Sequence, residues 1–269
     1  MQNEESLDIF KKFLLYIEKK YGWFILPSKI ENSAFILGKL IMKFGLGKLN
    51  DVLEGDISHD SYSDIDEEII DRFSVNETYF NREPETLEVL ASIVSDILKV
   101  KETVKIFCAA SSSGEEMFSV AIALNEDYLR GNVNLTGGEI SLKMIKMMEE
   151  GVYTEWSLRT CGEDFRREHF ELSDRKFMIR EKYRKNLSVK RYNLLSENTS
   201  LYFGHEKFDV ILCRNLFLYM QPSAIEKVTG NLLSVIEPGG YFITGLAEGA
   251  LSEQLKSNRY EGYGNIFRF

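Results

Sequence analysis

An α/β fold is predicted, preceded by a helical segment and carrying a small inserted sheet. Three observations carry the prediction. Residues 104–124, VKIFCAASSSGEEMFSVAIAL, read as a buried strand, a loop of small residues and a helix. Strand and helix patterns alternate again over residues 132–150 and from residue 208 onward, which favours a mainly parallel sheet. Residues 1–75, by contrast, carry helical periods alone.

The stretch 104–124 sets the frame. Val104, Ile106, Phe107 and Cys108 form the apolar run, and Met117, Phe118, Val120, Ala121 and Leu124 recur at helical spacing. Between them, Ala109 to Gly114 have little side chain to keep a ligand from the backbone, and a strand-to-helix loop of this kind suits a nucleotide-like ligand. No GxGxxG is present, so the loop alone leaves NAD, ATP and S-adenosylmethionine (SAM) open. Glu115 and Glu116 at the helix entry suit the helix dipole and repel a pyrophosphate. They favour a ligand bearing hydroxyls, amines or positive charge, as SAM does.

The helical segment comes first in the chain. Leu7, Phe10, Phe13, Leu14 and Ile17 share one period. Ser33 opens a second helix through Phe44, with Gly45 and Gly47 as its stop, and a third is expected over 65–73. Acids dominate 51–71, which reads as a solvated loop and helix face. Residues 1–50 hold eight lysines against five acids, a mildly basic cap that suits an acidic partner. The polar and aromatic link Asn76–Pro84 fits neither period, and Pro84 suits the first turn of a helix over 85–98.

After the central loop, residues 132–139 read as a second strand ending in Glu139, 25 positions after Gly114, where such folds place an acid on ribose hydroxyls. A helix from Leu142 stops at Gly151. Phe170–Leu172, Phe177–Ile179 and Leu187–Val189 read as short strands of an inserted sheet with a basic rim, a candidate for docking a peptide by strand addition. Residues 208–213, FDVILC, form a buried strand with Arg214 and Asn215 at its carboxyl end, where open α/β sheets bind ligands. A helix over 223–236, a turn at Glu237-Pro238-Gly239-Gly240, a strand over 241–245 and a closing strand within 264–269 complete the chain.

Composition limits the function. The 269 residues are 44% hydrophobic and 28% charged, which is ordinary for a globular protein, and the net charge of −9 disfavours a nucleic-acid partner. Three widely spaced cysteines form no CxxC, so neither a disulfide framework nor a metal site is expected. The N-terminus lacks an apolar signal core, and the patch 35–44 is too short and too charged to span a bilayer. A cytoplasmic protein without membrane insertion is expected.

Four stretches together resemble the CheR family, the SAM-dependent methyltransferases that esterify glutamates of bacterial chemoreceptors. They are NETYFNR (76–82), similar to N-x-T-x-F-F-R; ASSSGEEMFS (110–119), similar to the CSTGEEPYS loop; FDVILCRNLFLY (208–219), similar to FDxIxCRNxxIY; and IEPGGYFITGLAE (236–248), similar to LxPGGxLxxGxSE. Order and spacing agree. Asn81 stands where the family has an aromatic, Met117-Phe118 where it has Pro-Tyr, and Gly138-Glu139-Ile140-Ser141 where it has T-D-I-D.

The resemblance implies a helical N-terminal domain (1–75) and a Rossmann-like methyltransferase domain (76–269) with 152–190 as an inserted β-subdomain. It implies cofactor contacts from Asn76, Thr78, Arg82, Glu115, Glu139, Asn193, Leu194, Arg214 and Asn215, with Arg82 and Tyr219 near the transferred methyl group. The cofactor would be SAM, leaving as S-adenosylhomocysteine, and no metal is expected. The partner would be the cytoplasmic helices of a chemoreceptor or another acidic protein, met by a monomer. Two rival readings keep the fold. One changes the acceptor to a different protein or a small molecule; the other makes the chain a catalytically silent SAM-binding regulator.

Overall fold

The structure, a computed structural model, describes residues 2–260 and 262–269. Four helices come first: α1 (Gln2–Tyr21), α2 (Ile30–Phe44), α3 (Leu46–Glu54) and α4 (Asp64–Phe73). Phe13, Ile17, Leu40, Leu49, Ile65, Ile69 and Ile70 point inward and are fully buried, so these helices enclose a core of their own. Gly45, at φ +81°, ends α2 as expected, but it does not end helical structure. The chain turns directly into α3, with Gly47 inside it, because burying Leu49 and Leu53 outweighs a glycine penalty of about 1 kcal/mol.

The acidic run 51–71 is not uniformly solvated. Asp66 is 2% exposed. Its carboxylate accepts hydrogen bonds from Tyr16 (2.7 Å), Tyr21 (2.5 Å) and Lys20 (2.9 Å), and it closes a capping box with Ser63 at the start of α4. Burial alone pushes this carboxyl up. The bonds from Tyr21, Ser63, Tyr16 and Lys20 outweigh that and hold it below its ordinary value of 3.8. A depressed folded value stabilises the native state at pH above 3.8, and the contribution is lost as pH falls through the lower folded value. An acid titration of the unfolding free energy is therefore expected to show a limb below pH 3.8 that Asp66→Asn removes.

Beyond the link, α5 (Pro84–Leu98) leads into β1 (Val104–Ala109), α6 (Glu115–Leu129), β2 (Val133–Glu139) and α7 (Leu142–Glu150). Then come β3 (Val152–Tyr153), α8 (Glu163–His169), β4 (Phe170–Ser173), β5 (Lys176–Ile179), α9 (Glu181–Arg184) and β6 (Leu187–Arg191). The last part is α10 (Thr199–Tyr202), β7 (Phe208–Cys213), α11 (Pro222–Ser234), β8 (Ile236–Thr244), α12 (Gly249–Gln254) and β9 (Ile266–Arg268). Six strands make the central sheet in the order β6-β2-β1-β7-β8-β9, parallel except for β9. Side chains alternate along β1. Val104, Ile106 and Cys108 enter the core under α5 and α6, while Phe107 and Ala109 enter the core under α11.

Two expectations need correction. Leu187–Val189 belongs to β6 at the edge of the main sheet, parallel to β2, with Leu187 opposite Leu135 and Arg191 opposite Glu139. Its two-residue alternation suits a half-buried edge strand as well as a small sheet. The inserted sheet instead runs β3-β5-β4, and its first strand directly follows α7. Its β4–β5 hairpin turns on Asp174 and Arg175, both at positive φ, as a tight hairpin turn requires. The second correction is the segment Glu237–Gly240, which is part of β8 rather than a turn before it. The register shifts between Phe208 and Val210, and Gly239 takes φ +83°, so the Pro-Gly-Gly sequence forms an irregularity in the ladder.

Candidate active site

The sheet order reverses between β1 and its neighbours, and a cleft opens at the carboxyl ends of β1, β2 and β7. It holds a cavity of about 260 Å³ that adjoins a smaller one of about 50 Å³. Trp23, Ala110, Glu139, Ile140 and Leu216 line both.

The loop after β1 makes the first wall. Ala110 (φ +54°), Ser112 (φ +49°) and Gly114 (φ +95°) take left-handed conformations that coil the backbone tightly. Only glycine fits at 114, because a Cβ there would lie 2.4 Å from Met148. The coil brings the Ser112 amide to the Glu139 carboxylate at 2.8 Å, while the amides of Ile140 and Ser141 reach its other oxygen at 2.9 Å each. Burial pushes the Glu139 carboxyl up, and these three amides oppose it. Glu139 is thereby held where the two cavities meet.

The link makes the second wall. Phe80 is fully buried, edge-on to Tyr153 and Phe170, and anchors the segment. Asn81 and Glu83 both sit at φ +56°, and this double reversal leaves Arg82 on the cavity side. Arg82 donates to the Glu77 carbonyl at 3.1 Å and lies over the Tyr79 ring. Asn76, Thr78 and Tyr79 line the cavity beside it.

Arg214, Asn215 and Tyr219, following β7, make the third wall. The Arg214 guanidinium, 2% exposed, bonds Glu116 and Glu83 at 3.0 Å each and the Arg82 carbonyl at 2.5 Å. Burial works against its charge, but Glu116 and Glu83 prevail and raise it. Burial likewise pushes the Glu116 carboxyl up, and Arg214 draws it back. Buried Glu248 accepts from the amides of Phe217 (2.8 Å) and Gly245 (2.6 Å), tying this loop to the end of β8.

The expected site residues are brought together with one exception. Asn76, Thr78, Arg82, Glu139, Arg214, Asn215 and Tyr219 line the larger cavity, and Asn193 and Leu194 line the smaller. The Asn193 amide nitrogen donates to the Lys20 carbonyl (2.9 Å) and its oxygen accepts from Leu195 (3.0 Å), so its side chain serves the fold as well. Glu115 is the exception. It is 2% exposed, held by the hydroxyls of Ser113 (2.7 Å) and Ser157 (2.9 Å), and lines neither cavity. The neighbouring Glu116 faces the cavity instead, because successive helical residues point about 100° apart. Sequence reasoning also missed Trp23, Lys29 and Arg72, which reach the cavity from the helical layer. No period in 1–75 marks them, though Trp23 beside Gly22 is an aromatic at a break between helices.

These residues fit SAM. Buried Glu139 and half-buried Glu116 repel a phosphate and suit an amine, a sulfonium or hydroxyls. Arg82 supplies a cation for a carboxylate, and the buried Arg214 Nε, on a cavity-lining residue, has no hydrogen-bond acceptor among the described residues. Arg82→Ala is expected to lower kcat/KM at least about tenfold, or ~1.4 kcal/mol of transition-state stabilisation, in steady-state methyl transfer. An unchanged rate removes Arg82 from the site.

Comparisons with known proteins agree. Residues 76–262 match the family described as "CheR methyltransferase, SAM binding domain". A chemotaxis protein methyltransferase of Vibrio parahaemolyticus is 30% identical over 247 residues, covering 89% of this chain and 88% of that protein. One from Vibrio cholerae is 29% identical over the same length and coverage. Another, from Borreliella burgdorferi, is 28% identical over 193 residues, covering 67% of each chain.

Proposed function

Since the chain belongs to the CheR family of SAM-dependent methyltransferases, we propose that it forms methyl esters on glutamate side chains of chemoreceptors. The observation that carries this reading is the three-walled cleft. It sets Arg82 and Tyr219 beside the same cavity as Glu116 and Glu139.

SAM supplies an electrophilic methyl group on a sulfonium. A glutamate acceptor is already ionised at neutral pH, its ordinary value being about 4.3, so the site needs no general base. Its work is alignment, with reacting atoms brought to about 3 Å in line. Arg82 offers a planar fork to a carboxylate, and Tyr219 offers a hydroxyl to orient the attacking oxygen. With SAM bound, one acceptor oxygen would gain the methyl group, and the electron pair of the broken carbon–sulfur bond would stay on sulfur. Loss of the positive charge in that step is eased where the half-buried carboxylates Glu83 and Glu116 are already matched by Arg214.

The partner reading follows from charge. Lys29, Arg72 and Arg82 edge the larger cavity, and α2 exposes Phe35 with Lys39 over its ring. An acidic helical segment matches that face. The outer strand β4, with Leu172 exposed, is the place we assign to an added peptide strand.

The test is methyl transfer from labelled SAM to a receptor cytoplasmic fragment. Base-labile label, released as methanol in alkali, is the expected result. Alkali-stable label on nitrogen or sulfur, or transfer to small molecules in preference to the receptor, overturns it.

A further inference from the structure

Trp23 is held in place from two sides. Its backbone runs antiparallel to the loop that carries Tyr219: the Phe24 amide donates to the Tyr219 carbonyl and the Gln221 amide to the Gly22 carbonyl, both at 2.8 Å. Gly22 permits that approach. It sits at φ +71°, and a Cβ there would lie 2.5 Å from the Ala224 Cβ. The Trp23 ring, in turn, stacks on Tyr21 with centroids 4.6 Å apart and planes 21° from parallel. The Tyr21 hydroxyl ends on buried Asp66, which also engages Tyr16 and Lys20. A carboxylate, two tyrosines and a lysine buried in a small helical core thus converge on one aromatic stack.

That stack faces the cleft. Trp23 lines both cavities and Tyr21 lines the smaller one, yet Trp23 itself is only half-buried. The region the two cavities share is where Glu139 sits. An acid at that strand end takes ribose hydroxyls in folds of this kind, so the base attached to a bound ribose would lie beside it, within reach of the smaller cavity that Asn193 and Leu194 line. Flat aromatic surface is what an adenine ring binds best.

We propose that Trp23, backed by Tyr21, is a cofactor-binding residue against which the adenosine part of SAM packs. The helical layer therefore completes the cofactor site rather than only covering it. The assignment rests on the SAM reading of this cleft.

Fluorescence and calorimetry test it on the full chain, with S-adenosylhomocysteine as the probe. The chain has two tryptophans, and Trp156 is exposed and lines neither cavity. In Trp156→Phe, all tryptophan emission comes from Trp23, and the probe is expected to change it saturably with the Kd that calorimetry gives. In Trp23→Ala the Kd is expected to rise about tenfold, equally for S-adenosylhomocysteine and SAM, because the two share the adenosine. Trp23→Phe, which keeps a ring for the stack, is expected to recover most of the affinity and guards against a folding defect. Binding with no change in Trp23 emission, or Trp23→Ala binding as tightly as the parent, overturns the assignment. A loss for SAM alone places Trp23 at the sulfonium and overturns it too. If the parent chain binds neither compound, the SAM reading fails and takes the assignment with it.

Discussion

Arg214→Ala is expected to lower the unfolding free energy by about 3–5 kcal/mol and to abolish methyl transfer. The guanidinium lies between Glu116 and Glu83, 3.0 Å from each, with 2% of its side chain exposed. Removing it leaves two carboxylates facing each other with water largely excluded. Burial already pushes the Glu116 carboxyl up with Arg214 in place. Without the cation it rises further, so the deficit is expected to be largest at neutral pH and to shrink on acidification as Glu116 takes up a proton. Denaturant unfolding at pH 7 and pH 5 measures both effects. The combined replacement Arg214→Met, Glu83→Gln, Glu116→Gln is expected to recover most of the stability and none of the activity. A pH-independent loss under ~1 kcal/mol in Arg214→Ala contradicts this account.

Phe80→Ala is expected to cost about 3–5 kcal/mol, as for other large aromatics cut from a closed core. The ring has no exposed surface and meets Tyr153 at 4.8 Å and Phe170 at 4.9 Å. The main chain at this position is fixed as well: the amide donates to the Ser157 carbonyl (2.8 Å) and the carbonyl accepts from Thr160 (2.9 Å). Losing the ring therefore frees the link, and Arg82 lies two residues on. A fall in kcat/KM is expected with the fall in Tm, whereas Phe80→Leu keeps more of both. Thermal unfolding alongside steady-state kinetics checks the pair. A variant that loses stability but keeps full kcat/KM shows that the anchor does not position Arg82.

The central strand, loop and helix were legible because an apolar run, small residues and a helical period follow one another without interruption from Val104 to Leu124. Of the flanking walls, Arg214 and Asn215 were legible from the buried strand FDVILC that ends beside them, whereas Asn76–Arg82 was legible only through NETYFNR, whose residues have no period of their own. Other features had no local signal. Glu115 and Glu116 are chemically alike, and only the rotation of the helix decides which meets Arg214. Asp66 resembles its acidic neighbours in sequence, and its partners Tyr16, Lys20 and Tyr21 belong to a different helix. The Pro-Gly-Gly of β8 carries every mark of a turn, yet the pairing of Ile236 before it and Tyr241 after it with β7 keeps it within the strand as an irregularity. Trp23 reads as a packing residue until the two cavities are seen to meet beside it.

The position of β1 has a consequence for how the protein is made. Its partner on one side, β2, follows after a single helix, but its partner on the other is β7. The Lys105 amide, for instance, donates to Asp209, 104 positions later. A nascent chain that has emerged only as far as β6 carries β1 with one row of amides and carbonyls unpaired, flanked by Ile106, Phe107 and Cys108. Such an edge invites another copy to add to it. The cleft cannot exist until the last third of the chain arrives to close that edge. Ligand is therefore absent from the early steps of folding, and the interval before β7 docks is when self-association competes with the native fold.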